Sequence, residues 1–518
     1  MIKRLLILLL LSASPLLAAT HYISKSLGAD SNAGTSKASP WAHLPGMGSC
    51  TSNCSSYSPG SGDQFILYGG DTWTSSDLGV SWQWNGTSGS PIYIGVDETW
   101  YNSSICGASF CRPIWNCSGT TCSNTSTANA MFQLGGGGAG NYVTLDNIEM
   151  TGRSTSDDRG YVQVYSSNVL IENIYVHGWT HSGETNDSGF GFTSSTCCGG
   201  GLNVVFDHDI ADGSDTTQNS LACFFGGIGI IEHSLCNYVT NGAEGSFDQI
   251  HDSMFENIEL SFQAGAHQNA IQQSGPTSST SNTFFYNNVI TGVATGGITK
   301  LWVGQSTGAP QTAYVFDNVM YNNAAGNDVD VCQEGSNCGT YYYFNNTFEC
   351  GNASGVDDCQ AGSGSGYPTQ VAYWINNHCI ATSCSNVSLS TYTLHQSNSL
   401  IQSVSTASGQ GYTAGSTYAF QPTLVTGGTV TAGTNEQSLC TTINGIDTTA
   451  GAACQNDTGY ACSYNTSNHT LSCPDRSVKA RPSSTAWDIG AYQYSASGGA
   501  SVTIQGSVTI KGATTIQP

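Results

Sequence analysis

Charge is scarce in this chain of 518 residues: Asp, Glu, Lys and Arg together make up 9% of it, against roughly 25% in ordinary soluble domains. Coiled coils and long charged helices are excluded. Basic residues are rarest, 12 Lys plus Arg against 35 Asp plus Glu, for a formal net charge of −23. A phosphate-backbone binder needs basic stripes, so nucleic acid is set aside as a partner. Long apolar runs are missing beyond the first residues, and no later stretch approaches the roughly 18 apolar residues that mark a membrane span. Disorder is excluded too, because 10% aromatic and 38% hydrophobic residues supply enough apolar surface to offset ordering entropy.

What is present sets the compartment. Lys3 and Arg4 precede an apolar run from Leu5 to Leu11, and Ala18 and Ala19 follow; residues 1–19 read as a cleaved signal peptide of a secreted protein. Twenty cysteines suit an oxidising destination. Sixteen fall into close couples: Cys50 with Cys54, Cys106 with Cys111, Cys117 with Cys122, Cys332 with Cys338, Cys350 with Cys359, Cys379 with Cys384, Cys440 with Cys454, and Cys462 with Cys473. Cys197, Cys198, Cys223 and Cys236 are left over. Couples this close remove little loop entropy and serve to stiffen excursions.

The informative signal is a phrase repeated nine times: a β-rich run, a polar pair, then another apolar residue. It occurs as VTLDNIEM at Asn147, VLIENIYV at Asn173, VVFDHDI at His208, IIEHSL at His233, MFENIEL at Asn257, FFYNNVI at Asn288, YVFDNVM at Asn318, YYFNNTF at Asn346 and YWINNHC at Asn377. Recurrence at 24 to 35 residues, with strand alternation and Gly, Ser, Thr and Asn between, means a solenoid of short stacked parallel strands. The repeated Asn or His is expected to form a structural ladder at a turn, with Asn147, Asn173, Asn288, Asn318, Asn346 and Asn377 in one column.

With these phrases the chain resembles the secreted right-handed parallel β-helix repeat proteins of the pectate-lyase-like superfamily. The segment from His21 to Leu44 resembles their entry, with Ser39 as N-cap and Pro40 as first residue of a short N-terminal capping helix. Gly62–Trp73 looks like a first rung, and Asp488–Tyr494 resembles a closing strand. The implied architecture is all-β. Residues 20–135 would form the cap and first rungs with disulfide-stapled loops, 136–384 the regular coils, and 385–494 irregular terminal rungs. Residues 495–518 are a linker and a tail, SVTIQG, SVTIKG and ATTIQP, whose β-propensity suits covering a sheet edge or self-association.

Chemistry in such a fold must be assembled across rungs. Some 7 to 12 residues past the ladder, successive coils offer His181, Asp215, Glu244, His267 and Lys300. Asp207, Asp209, Asp212 and Asp215 form the densest acidic cluster, and hard oxygen donors at short spacing suit calcium. Asp209, Asp212 and Asp215 are the metal candidates. The resemblance implies β-elimination on a uronic acid polymer, in which a base takes the proton beside a carboxylate that calcium holds. Lys300, the sole Lys between Lys37 and Lys479, is the candidate base, with His267 and Glu244 as further catalytic candidates. His181, Trp179 and Trp302 are placed as substrate-binding groups, the indoles stacking on sugar faces. Asp215 with Glu244 offers a carboxylate pair for a glycoside hydrolase instead. Two function classes therefore stand side by side: a secreted enzyme, polysaccharide lyase or hydrolase, acting on extracellular polysaccharide, and a non-catalytic adhesive β-helix binding glycan or protein partners.

Overall fold

The computed structural model describes residues 18–122, 130–135, 139–155, 160–181, 190–194, 203–216, 221–258, 269–275, 282–293, 299–303, 312–323, 327–331, 339–349, 361–363, 370–381, 392–413 and 418–494. They form a parallel β-helix. Each regular rung contributes three short strands, as in Val162–Val164, Val169–Glu172 and Tyr175–His177, called here the first, second and third faces. Strands stack in parallel register on their counterparts one rung away: Val169 opposes Val143 and Val204 on the second face, and Tyr175 opposes Glu149 and Ile210 on the third. The first two faces run together in a 21-stranded sheet, and the third face is a 13-stranded sheet. In Ala222–Glu232 and Asn241–His251 one continuous strand spans the first and second faces.

Alternation explains the packing. Val169 and Ile171 are sealed in the interior while Leu170 and Glu172 lie half-buried outside, so β-branched and aromatic residues at every second position fill the coil. At the corner between the second and third faces each rung turns through a residue with left-handed backbone: φ is 59° at Asn147, 58° at Asn173, 55° at His208, 48° at His233, 48° at Asp252, 55° at Asn287 and 57° at Asp317. Asn, Asp and His tolerate that conformation better than bulkier residues.

The following residue turns inward and forms the ladder. Asn288 donates to Asn318 Oδ1, Asn318 to Asn346 Oδ1, and Asn346 to Asn377 Oδ1 at 2.9–3.0 Å, and each backbone N–H donates to the same oxygen. The chain of contacts extends backwards, with Ser253 N donating to Asn288 Oδ1, Ser234 N to Ser253 Oγ, Asp209 N to Ser234 Oγ, and Ile174 N to Asp209 Oδ1. The expected single column is thus two adjacent columns. Asn147 and Asn173 belong to the left-handed corner, and Asn288, Asn318, Asn346 and Asn377 to the buried ladder. Asn257 belongs to neither, because the corner of its rung is Asp252 and Ser253.

Two expected terminal elements differ. Trp41 N donates to Tyr22 O and Ser24 N to Trp41 O, so the segment at Pro40 is extended, and the short N-terminal helix is Ser52–Ser56 instead. His21, Trp41, Tyr57 and Phe65 stack into an aromatic plug beneath it. At the other end Tyr392–Ser397 and Leu400–Gln402 make a last rung. The chain then turns back along the outside of the coil. Asn376 Nδ2 donates to Thr434 O and Asn345 Nδ2 to Asp488 O; Arg481 pairs with the buried Asp317, and Tyr460 Oη with Tyr321 Oη. Asp488–Tyr494 is part of this return and not a strand. Helices Gln437–Asn444 and Thr448–Cys454, joined by the Cys440–Cys454 disulfide, bury Phe284, Tyr314 and Phe344 of the second face. Five of the expected cysteine couples are bonded, and Cys223 joins Cys236. The signal peptide apart from Ala18 and Ala19, the tail, the couples Cys332–Cys338 and Cys350–Cys359, Cys384 of the couple Cys379–Cys384, and Cys197 and Cys198 lie outside the described residues.

The two columns make different energetic predictions. Asn318→Ala takes the acceptor from the Asn288 N–H and side-chain amide and a donor from the Phe285 carbonyl in a dry interior, at about 1–3 kcal/mol for each buried group left unmade. A loss of about 3 kcal/mol or more is expected in denaturant unfolding, while Asn147→Gly, at a half-buried corner glycine readily adopts, should change stability by less than about 0.5 kcal/mol.

Candidate active site

The outward residue just before each corner makes a column of its own. In register it runs Asp146, Glu172, Asp207, Glu232 and His251, and continues as Tyr286, Phe316 and Phe344. Four carboxyl groups thus stand on backbones about 4.8 Å apart. Asp146 accepts from Tyr93 Oη at 2.6 Å and from Asn173 Nδ2 at 2.9 Å. Asp207 Oδ1 receives the Nδ1 of both His208, at 2.7 Å, and His233, at 2.8 Å. Burial resists ionisation of Asp207, but these two imidazoles hold its carboxyl far below the usual range. His251 contacts Asp252 through Nδ1 at 2.9 Å and Glu232 through Nε2 at 3.4 Å.

Glu172 differs from its neighbours. Among the described residues its carboxyl has no hydrogen-bond partner, and it sits between the anions Asp146 and Asp207. Burial, together with their charge, pushes it up to about 7. Beside this column, one pleat away on the same strands, Leu170, Val205 and Ile230 make a half-buried apolar stripe in register.

A cleft of about 420 Å³ opens at the corner beside the column, where Asp146 reaches it, and is lined by Glu98, Arg112, Asn147, Asn173, His208 and Leu471 among others. A second, of about 350 Å³, shares Glu98 and Arg112 and adds Phe110, Glu149 and His469. The wall on one side is the hairpin of Ser463–Asn465 and Thr470–Ser472, closed by the Cys462–Cys473 disulfide. Arg112 Nη1 donates to Asn468 O and His469 O, and Tyr464 Oη to Asp212 Oδ2. Below the hairpin, His177 meets Asp215 Oδ2 at 2.7 Å through Nδ1 and Glu149 Oε1 at 3.2 Å through Nε2. Tyr175 stacks between His177 and His469.

The sequence-derived row is distributed over different faces. Asp215 lies past the third face, and Glu244 is on the first, opposite Gln272, which opposes Trp302. Glu244 and Trp302 thus share a column two rungs apart, and Lys300 lies on the strand of Trp302. His181 pairs with Thr155 beyond the third face, and His267 lies outside the described residues. Trp179 is 3% exposed and packs in the core, which withdraws it from any sugar. The three aspartates do not share a cage. Asp209 is a rung of the buried ladder, its carboxyl driven well above the normal range by burial, Asp212 is held by Asn237 Nδ2 and Tyr464 Oη, and Asp215 by His177 and Gly178 N. Calcium takes six to eight oxygens, so this set does not fit it. An acidic and histidine cluster of another kind does occur, at Asp207, His208 and His233. Sequence reasoning missed the carboxylate column, although its signal is present: an acid directly precedes the corner residue in LDN, IEN, FDH and IEH.

No family model matches the chain, and no curated protein matches it. Solved structures do. A pectate lyase, Pel9A, is 15% identical over 92% of this chain and 96% of its own, with a TM-score of 0.40. A rhamnogalacturonan lyase is 12% identical over 74% and 87%, with a TM-score of 0.44. A GH136 lacto-N-biosidase from Eubacterium ramulus is 13% identical over 74% and 67%, with a TM-score of 0.38. The parallel β-helix is read from the chain's own strand pairing, and likenesses at these identities and TM-scores assign it no activity.

The His177 cluster yields a pH prediction. Burial disfavours its charge, but the Asp215 and Glu149 carboxylates outweigh this and raise it from 6.5 to about 9. The sign is that of a raised histidine: its stabilisation is complete below about 6.5 and is lost as pH rises through about 9. Hydrogen exchange of residues 462–473 should therefore accelerate between those limits, beyond the intrinsic pH effect, and His177→Gln should remove the excess.

Proposed function

We propose that this protein is an extracellular glycan-cleaving β-helix, with a polysaccharide lying along the outer second face and Glu172 as the group that exchanges a proton with it. One observation carries the reading: the apolar stripe Leu170, Val205, Ile230 runs rung for rung beside the column Glu172, Asp207, Glu232. A sugar ring has an apolar face and a hydroxyl rim, and this surface offers each its complement. Within the column, Asp146 and Asp207 are engaged by Tyr93, Asn173, His208 and His233, which leaves the Glu172 carboxyl for the substrate. General acid–base catalysis requires such a group within hydrogen-bond reach of the proton it moves.

Substrate charge follows from the same column. Its carboxylates repel a polyuronate unless a cation bridges them, so a neutral glycan suits the bare face, and an acidic glycan with calcium is the alternative that the superfamily resemblance suggests. In that alternative Lys300, Glu244 and Trp302 would act on the first face, away from the second-face cleft. The disulfides and the absence, among the described residues, of any helix long and apolar enough to cross a membrane support an extracellular site of action.

The test is Glu172→Gln, assayed on neutral and acidic polysaccharides with calcium or with chelator, following new reducing ends, unsaturated ends and retention by immobilised glycan. Turnover should fall about 100-fold or more with retention unchanged. Full turnover in Glu172→Gln would overturn the assignment, whereas retention without turnover in the parent protein would favour the adhesive class.

A further inference from the structure

We infer that Asp207, His208 and His233 form a binding site for a borderline transition-metal dication of the zinc or copper class. Each offers one ligand atom, and these atoms lie within 4.8 Å of one another. Both imidazoles present Nδ1 to the same oxygen, Asp207 Oδ1, at 2.7 and 2.8 Å. A metal bound at about 2.1 Å to each would ask these atoms to part by a few tenths of an ångström. All three side chains are partly exposed, at 23–31%, which leaves a path for entry and positions open to water.

The surroundings favour a cation. Glu172 and Glu232 flank Asp207 in register, and the nearest described basic side chain in the cleft, Arg112, is spent on the hairpin carbonyls. The donor set of two imidazoles and one carboxylate selects zinc, copper or nickel and disfavours calcium or magnesium, which want oxygen alone. Composition points the same way: Asn or Asp occupies the corner at 147, 173, 252, 287, 317, 345 and 376, and His occurs there at 208 and 233 alone, the two corners beside Asp207. Binding replaces the proton between each Nδ1 and Oδ1, which moves to Nε2 or to solvent. The inference rests on these side chains and not on the glycan reading, and it is tested with no glycan present.

The experiment titrates the full chain with Zn²⁺ by calorimetry and with Cu²⁺ by electron paramagnetic resonance. One equivalent should bind, the copper spectrum should carry hyperfine structure from two imidazole nitrogens, and excess Ca²⁺ should not displace it. His208→Asn and His233→Asn restore the residue found at neighbouring corners and so preserve folding, checked by circular dichroism. Each should weaken binding about tenfold or more and leave a single coordinated imidazole. Asp207→Asn should also weaken it. Unchanged affinity in the His208→Asn/His233→Asn double variant, loss of binding on His469→Asn instead, or displacement by equimolar Ca²⁺ would each overturn the site.

Discussion

The structure depends on how a buried corner satisfies its backbone. Where the second face turns into the third, the chain passes inward with an N–H that has no strand partner, and an unpaired buried donor is costly. The residue one rung further on supplies the acceptor: Asp209 for Ile174, Ser234 for Asp209, Ser253 for Ser234, then Asn288 through Asn377 in turn. Because each rung completes the one before it, no rung can slip without orphaning its neighbour. That fixes the column immediately outside, where Asp146, Glu172, Asp207 and Glu232 are held in line.

Stacking like charges opposes folding, and the chain offsets it locally. Tyr93 and Asn173 serve Asp146, two imidazoles serve Asp207, and His251 serves Glu232. Glu172 is left to absorb the residual repulsion, which together with its burial raises its carboxyl to about 7. Four rungs on from Glu172, the same column turns apolar, with Tyr286, Phe316 and Phe344 stacked at 4.9–5.0 Å. Ring stacking replaces ion pairing as the side-chain contribution there, and the two terminal helices cover that half. One column thus divides into a chemical half and a packed half.

Much of the fold was legible because the phrase repeats a physical need. DNI, ENI and NNV each place a corner residue before an interior one, and nine copies specify a solenoid. The column assignment was off by one at Asn147 and Asn173, since a DN or EN pair and an NN pair look alike when the interior residue can be Ile, Asp, Ser or Asn. Asp209 looked like a cation ligand because an acid in a ladder is rare; its Oδ1 does the work of an Asn oxygen by accepting the Ile174 N–H. The Pro40 helix failed because a Trp41 strand bridge, a long-range contact, outweighed a local capping signal. Nothing local could place His469 on Tyr175 or the hairpin on Arg112, separated by nearly 300 residues or more.

The returning C-terminal segment is what converts a column into a cleft. A bare β-helix face is open along its length and holds no enclosed volume. Here the corner side chains Asp317, Asn345 and Asn376 reach outward to bind the return, and the disulfide hairpin, with Cys473 Sγ 3.8 Å from His233 O, ends over Arg112. The corner therefore has two uses along one axis. In the later rungs its polar side chains secure the segment, and in the earlier rungs the same positions carry Asn147, Asn173 and His208, which line the cleft, and His233. A wall anchored at one end and closed by a disulfide at the other encloses space beside Asp146, Asn173 and His208, on rungs whose outward column is acidic, and the helical part of the same return covers a second hollow at Val205, Ile230, Phe284, Ile446 and Asp447.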